Sequence, residues 1–162
     1  MSEIYIICVE DEPQVLDVVV RDLAALEEVF PIEIAHSADE ARELIRELKE
    51  EGARIGLAIC DHIMPGDKGV DLLIEMQQDD FTKKTRKVLL TGQAGLEETI
   101  EAVNNAKLNR YIAKPWRPEH LLKVAVEELT AFVIEQEDEL LPFMAVLDQE
   151  KLQEAIRTKG YL

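Results

Sequence analysis

The chain has 162 residues, 47% of them apolar, and a formal net charge of -16 at pH 7. A chain of this length can bury one sizeable core, so we expect one domain with an appendage. The negative charge argues against direct binding to nucleic acid or an anionic membrane, and no apolar run is long enough to cross a bilayer. A basic partner or a divalent cation suits this charge better.

Short apolar runs with β-branched residues alternate with helical patterns along the chain. The runs predict strands over residues 4–9, 32–35, 55–61, 87–91 and 110–113. Between them, Pro13 suits the first turn of a helix, Ser37 to Glu40 forms a capping box, and Gly52 ends the second helix. A weakly amphipathic, exposed helix is expected around Leu96, Ile100, Val103 and Ala106, and a last body helix begins near Pro118.

Five such strand–helix units fit within about residues 1–135. Right-handed crossovers then predict an α/β fold with a doubly wound, five-stranded parallel sheet and helices on both faces. Cys8 and Cys60 lie inside predicted buried strands, so we interpret them as core thiols in a reducing cytoplasm rather than as a disulfide or zinc site.

Polar side chains follow four of the five predicted strands. The first strand is followed by Glu10 and Asp11, the third ends at Asp61, the fourth at Thr91, and the fifth leads to Lys114. Parallel strands end at one edge of a sheet, where open α/β folds bind ligands, so these groups can converge. Each has an ordinary alternative on its own: Asp61 could begin a turn, Thr91 could be a simple strand residue, and Lys114 a solvated charge. Their joint occurrence favours a site.

Three carboxylates brought together repel one another, which raises their proton affinities. A hard divalent cation such as Mg²⁺ relieves that repulsion and can clamp phosphoryl oxygens. Lys114 offers an ammonium and Thr91 a hydroxyl to the remaining oxygens, and the central Asp61 is the natural nucleophile for forming an acyl phosphate.

These motifs, in this order and spacing over roughly residues 3–130, resemble the receiver domain of two-component response regulators. The resemblance rests on Val9-Glu10-Asp11-Glu12-Pro13, Asp61-His62-Ile63-Met64-Pro65 with Gly69, Leu90-Thr91-Gly92, and Tyr111-Ile112-Ala113-Lys114-Pro115. It implies a flavodoxin-like fold with strand order 2-1-3-4-5. It also implies transfer of a phosphoryl group to Asp61 from a sensor histidine kinase or phosphotransfer protein, with Mg²⁺ or Mn²⁺ as cofactor.

The resemblance also assigns roles to single residues. Glu10, Asp11 and Asp61 are expected to bind the metal together with the backbone carbonyl of Ile63; Lys114 is the expected phosphate-binding lysine, and Thr91 and Tyr111 are the switch hydroxyl and aromatic. A cis Lys114-Pro115 peptide is expected. When Asp61 is phosphorylated, Thr91 would move inward to bond the phosphoryl group, Tyr111 would follow, and a downstream protein partner or output domain would bind the altered surface.

Two residues flank the expected phosphoryl site and are predicted to set the phosphoryl lifetime. Ile63 is expected to shield the acyl phosphate, and Gln93 to orient a water molecule. Gly92 leaves space beside Thr91 for the phosphodonor. His62 follows the nucleophile, and we interpret it as a solvated loop histidine, since Asp61 needs no general base.

The chain is predicted to be no enzyme beyond assisting its own phosphorylation and dephosphorylation. Two alternatives stay open: a receiver-like interaction module that takes no phosphate, and an Asp-nucleophile phosphatase of the haloacid-dehalogenase type. The latter places its nucleophile in an Asp-x-Asp pattern after the first strand, which Glu10-Asp11-Glu12 does not match.

We predict a domain boundary that divides the chain into a receiver domain, residues 1–136, and a C-terminal helical extension, residues 137–162. Pro142 should interrupt any helix there, and Asp148 could cap a last helix that Gly160 ends. The extension could fold back on its own domain, dock a partner, form a homodimer, or be a linker. We favour docking or dimerisation slightly.

Overall fold

The computed structural model describes residues 2–92 and 103–159. Their strands form one parallel sheet in the order β2-β1-β3-β4-β5, which confirms the predicted topology. The strands are β1 (Ile4–Val9), β2 (Ile32–Ala35), β3 (Arg54–Asp61), β4 (Arg86–Thr91) and β5 (Arg110–Ala113). The longest, β3, lies at the centre and is buried along nearly its whole length, as its continuous apolar sequence predicts.

Five helices with both ends in the described part of the chain connect and follow these strands: α1 (Pro13–Asp22), α2 (Ala38–Glu50), α3 (Gly69–Gln78), α4 (Pro118–Gln136) and α5 (Gln149–Lys159). The predicted local signals are present. Pro13 opens α1, the Ser37 hydroxyl accepts the Glu40 N–H at 3.1 Å, and Gly52 ends α2 with a φ of 77°.

The sheet separates two apolar layers. One contains side chains of α1 and α4, with Leu16 and Leu129 fully buried; the other contains side chains of α2 and α3, with Ala41 and Leu73 fully buried. Alternate residues of each strand contribute to the two layers, which explains why strands such as β3 are apolar at every position. Cys8 and Cys60 are buried free thiols, as predicted.

The C-terminal extension packs against the α1 and α4 side of the domain. Its buried apolar residues belong to the same core layer as α4, and the Phe143 ring stacks on Phe30 with centroids 5.7 Å apart. Lys159 donates hydrogen bonds to the carbonyls of Ile134 and Glu137 at the end of α4. This is the folded-back arrangement among the alternatives above, whereas docking and dimerisation stay predictions.

Local predictions for the extension fit its structure. A single 3-10 turn, Leu141–Phe143, contains Pro142, and Asp148 accepts the Lys151 N–H at the start of α5. The expected end at Gly160 lies outside the described residues. The helix expected around Leu96 and Ile100 does too, although Val103 at its described end is exposed.

Candidate functional site

Three carboxylates meet at the carboxyl edge of the sheet. Glu10 and Asp11 follow β1, and Asp61 ends β3; each offers an oxygen, and these oxygens lie within 4.8 Å of one another. Strand pairing produces this convergence because Val9 lies opposite Cys60, so the residues that follow leave the sheet at one level. Glu10 and Asp61 are buried, and Asp11 is partly buried. The structure therefore brings together the three predicted carboxylates.

Lys114 lies against the same carboxylates. Its Nζ is 2.7 Å from Oδ1 of Asp61 and 3.3 Å from Oε2 of Glu10. Its backbone N–H donates to the Thr91 carbonyl at 2.8 Å, which fixes the end of β5 beside the end of β4. The Lys114-Pro115 peptide is cis, as the resemblance implied. The contact between Lys114 and Glu10 thus joins residues that are 104 positions apart in the sequence.

Crowding of like charges changes the proton affinities of the site. Burial, and then the neighbouring charge of Asp61, raises the pKa of Glu10 to about 7, although Lys114 opposes the shift. Burial alone would lower the pKa of Lys114, but the hydrogen bond and charge of Asp61, aided by Glu10, raise it above its ordinary value. The site accordingly pairs a lysine of raised pKa with a carboxyl group whose pKa lies near neutral pH.

The donor set suits a hard divalent cation. Carboxylate oxygens are ligands that Mg²⁺ and Mn²⁺ accept, and a cation would offset the repulsion from Asp61 that adds to burial in raising the pKa of Glu10. The observation that supports the fit is this crowding, since three carboxyl groups lie together and the Lys114 ammonium contacts two of them, Asp61 and Glu10. Glu10, Asp11 and Asp61 are the residues that would hold the ion.

Thr91 and Tyr111 differ sharply in exposure. The Thr91 hydroxyl is buried and has no hydrogen-bond partner in the described part of the chain. Tyr111, on the neighbouring strand, is 58% exposed. A methyl group added at Gly92 would meet no atom of the described residues within 4 Å, apart from its chain neighbours, which agrees with the space predicted beside Thr91.

The prediction that His62 is a solvated loop histidine is wrong: the side chain is buried. The cause is backbone pairing, because the His62 N–H donates to the Leu90 carbonyl at 2.9 Å and so continues β3 one residue beyond Asp61. Its carbonyl then accepts the Gly69 N–H, also at 2.9 Å. A Cβ at Gly69 would lie 2.0 Å from the Asp61 carbonyl oxygen, so only glycine fits.

The structure describes only one of the two residues that were predicted to set the phosphoryl lifetime. The Ile63 side chain is 64% exposed, beside the nucleophile in sequence, and Gln93 lies outside the described residues. The roles assigned to both stay predictions.

One buried charged side chain outside the site was missed by the sequence analysis. Lys87, in β4, is 1% exposed, and its Nζ binds the Thr85 carbonyl at 2.8 Å and Gln77 Oε1 at 3.0 Å. The available signal was a lysine directly before the apolar run 88–90, which we interpreted only as the start of a strand. Lys87 lies away from the three carboxylates and fastens the loop between α3 and β4.

Among the residues that the structure describes, no helix has both the length and the apolar character needed to span a bilayer.

Comparisons with known proteins agree with this fold. The family model of the response regulator receiver domain matches residues 6–126. The chain is 32% identical over 126 residues to the hydrogenase transcriptional regulatory protein HoxA of Cupriavidus necator. This alignment covers 78% of the chain and 24% of HoxA. The same protein of Bradyrhizobium diazoefficiens is covered to 26%, so the chain spans about a quarter of the length of these relatives.

Solved structures show the same architecture. A CheY-like response regulator receiver domain protein from Methanospirillum hungatei superposes with a TM-score of 0.70 at 29% identity, covering 83% of this chain and 99% of that one. The signal receiver domain of an HD domain-containing protein from Pseudomonas fluorescens gives a TM-score of 0.72 at 24% identity, covering 86% and 96%, and shows the fold alone. Because the family model spans most of the chain, this protein belongs to the response regulator receiver domain family of two-component systems.

Proposed function

We propose that Asp61 accepts a phosphoryl group from the phosphohistidine of a sensor histidine kinase or phosphotransfer protein, and that the product alters a partner-binding surface. The observation that carries this proposal is the contact of Lys114 with Asp61 beside two further carboxylates. Receiver domains generally act as signalling domains rather than as enzymes, and this chain assists only its own modification.

In the proposed reaction, an Asp61 carboxylate oxygen attacks the phosphorus of the donor. A P–O bond forms, the P–N bond to the imidazole breaks, and the electron pair of that bond returns to the ring nitrogen, which takes a proton from solvent. No oxidant or further reactant is needed. Asp61 is suited to the attack because β3 holds it buried at the sheet edge with one oxygen fixed by Lys114.

Other residues of the site serve the transferred group. Lys114 can turn its ammonium from Asp61 to a phosphoryl oxygen, because its side chain is a flexible stem, while its backbone N–H stays bound to the Thr91 carbonyl. Glu10, Asp11, Asp61 and the Ile63 carbonyl would hold Mg²⁺ or Mn²⁺, and the bound ion would supply positive charge to the phosphoryl oxygens. The proton on Glu10 would leave before that carboxylate binds the ion.

The proposed switch uses the unpartnered Thr91 hydroxyl. A buried hydroxyl without a hydrogen-bond partner costs free energy, and the Thr91 hydroxyl is one. After phosphorylation of Asp61, this hydroxyl would donate a hydrogen bond to the acyl phosphate and so gain the partner that it otherwise lacks. Tyr111, now 58% exposed, would then pack inward behind Thr91 and alter the surface formed by β5 and α4. That difference between two states is what a partner would recognise.

The downstream element is a protein partner or an output domain. HoxA, by its name a transcriptional regulatory protein, is about four times as long as the segment matched here. We propose that the receiver domain regulates such an element, makes no direct contact with nucleic acid itself, and acts in the cytoplasm. The buried thiols fit a reducing compartment, and burial raises the pKa of Cys8 to about 12.

The test is phosphorylation by a small donor. We expect incubation with Mg²⁺ and acetyl phosphate to add the mass of one HPO₃ group to the intact protein, and Asp61→Asn to abolish the addition. Asp71→Asn is the matched control, because Asp71 is an exposed aspartate at the start of α3. Addition to the Asp61→Asn protein, or none to the wild type with Mg²⁺, would refute the proposal.

A further inference from the structure

Arg42, on α2, binds three carboxylates with one guanidinium group. Its Nη1 is 2.7 Å from Oδ1 of Asp39, its Nη2 is 2.6 Å from Oδ2 of Asp67, and its Nε is 3.0 Å from Oε2 of Glu75. The arginine side chain is 30% exposed, so its stem is largely covered. A planar guanidinium with five N–H donors in a rigid arrangement can hold three carboxylates in one geometry, whereas a lysine offers a single mobile ammonium.

The three partners come from three parts of the fold. Asp39 lies on α2 itself and Glu75 on α3, whereas Asp67 lies in the loop between Asp61 and α3. Arg42 therefore connects the loop that follows the nucleophile to both neighbouring helices. Without the guanidinium, the three carboxylates would be left close together with no opposing charge from this residue.

The same loop has a second anchor at its base. The His62 carbonyl accepts the Gly69 N–H at 2.9 Å, and the absence of a side chain at Gly69 lets the loop close on the Asp61 carbonyl. The far end, beside Gly66 with its φ of 87°, is held by the Arg42–Asp67 contact. Ile63, the proposed carbonyl ligand, lies between the two anchors along the chain.

We propose that Arg42 is a positioning residue for phosphoryl transfer, which holds the loop of residues 62–69 so that the Ile63 carbonyl and Asp61 are arranged for a divalent cation. The inference rests on the proposed function and deepens it, because it assigns a role in metal binding to a side chain that touches neither metal nor phosphoryl group.

The sign of the effect separates positioning from simple electrostatics. Removing a positive charge near a cation site would strengthen cation binding if charge alone mattered. Loosening the loop of residues 62–69 would instead weaken cation binding. Arg46 provides a matched control, because it is also on α2 but its partners, Glu43 and Glu50, belong to the same helix. Arg42→Gln and Arg46→Gln make the same change in net charge, and only the first releases the loop.

The experiment is a titration of the metal-free protein with Mn²⁺, in which the electron paramagnetic resonance signal of free Mn²⁺ reports binding without any phosphorylation. Partly exposed ion pairs are worth up to about 1 kcal/mol, so we expect Arg42→Gln to raise the Mn²⁺ Kd between about two- and fivefold. Arg46→Gln should leave the Kd unchanged or lower it slightly. Amide exchange of residues 62–69 should accelerate only in Arg42→Gln.

A double variant tests whether the effect runs through Asp67. In an Asp67→Asn background, Arg42→Gln should cause little further loss of Mn²⁺ affinity, because the contact is already broken. Arg42→Lys, which keeps the charge without the fork, should fall between wild type and Arg42→Gln.

Failure of this inference and failure of the proposed function give different results. If the wild type binds Mn²⁺ and Arg42→Gln binds it equally well or more tightly, the positioning role is refuted while the phosphoacceptor proposal stands. Equal losses in Arg42→Gln and Arg46→Gln would also refute it. If the wild type binds no Mn²⁺ and accepts no phosphoryl group, the proposed function itself is refuted.

Discussion

Two largely buried lysines in this domain show opposite electrostatic behaviour. Lys114, at the end of β5, binds the carboxylates of Asp61 and Glu10, and these raise its pKa. Lys87, near the start of β4, binds neutral oxygens, and burial, followed by the neighbouring charge of Arg86, lowers its pKa to about 8. The difference lies in the charge of the acceptors, because both ammonium groups are hydrogen-bonded.

We propose a functional role for the cation of Lys114 and a structural role for that of Lys87. Lys114 lies beside several carboxylates, and in the proposed reaction its ammonium would move to a phosphoryl oxygen while the carboxylates would hold a metal ion. The ammonium of Lys87 has its closest acceptors in the Thr85 carbonyl and the Gln77 amide, with longer contacts to the carbonyls of Thr82 and Lys83 at 3.5 and 3.4 Å. Lys87 holds the loop between α3 and β4 in place, and its burial lowers its pKa.

The largest effect is expected from Lys114→Met. This change keeps an unbranched apolar stem and removes the ammonium, so the phosphorylation rate with acetyl phosphate and Mg²⁺ should fall by about 10²–10³-fold, the usual cost of removing one electrostatic contact to a transferring group. Intact mass measured over time gives the rate. Lys84→Met, at an exposed lysine, should retain the wild-type rate, and so should Lys87→Met. A Lys114→Met protein that phosphorylates normally would remove the functional half of the comparison.

A second effect concerns the pH dependence of stability in Lys87→Met. Lys87 has its ordinary pKa of 10.5 in the unfolded chain and a pKa of about 8 in the folded one. Between pH 8 and pH 10.5 the unfolded state therefore binds more protons than the folded state. The free energy of unfolding of the wild type should therefore rise with pH, relative to Lys87→Met, by up to about 3 kcal/mol. This gain is complete above pH 10.5 and lost as the pH falls through 8.

Urea unfolding of both proteins at pH 7 and pH 10 measures this difference, with Lys84→Met as the exposed control. Wild type and Lys87→Met curves that shift in parallel between the two pH values would show that burial does not lower the pKa of Lys87.

The smallest effect is expected from Gln77→Leu. This change removes the side-chain acceptor that lies 3.0 Å from the Lys87 ammonium, while three backbone carbonyls stay in place. The free energy of unfolding at pH 7 should fall by about 1.5 kcal/mol, the value of a hydrogen bond to a charged group. Gln78→Leu, one residue later on the exposed surface of α3, should change it little. An equal loss in both variants would mean that the amide does not stabilise the ammonium.

Much of the proposed site could be located from sequence because its residues follow strands directly. Continuous apolar runs indicate buried parallel strands, and the residue that follows each run lies at the same edge of the sheet. Glu10, Asp61 and Lys114 could thus be predicted to meet, and they do. His62 could not be placed correctly, since its burial depends on a backbone bond to Leu90 in another strand.

The alternation of strands and helices, the parallel five-stranded sheet and the acids at its edge can be predicted from local pattern, because they follow from periodicity and from where each apolar run ends. The pairing of charges distant in the chain is seen only in the folded molecule. Arg42 reaches Asp67 and Glu75 across 25 and 33 residues, and the extension packs Phe143 on Phe30. Such contacts depend on the relative placement of whole helices and loops, which local pattern does not encode.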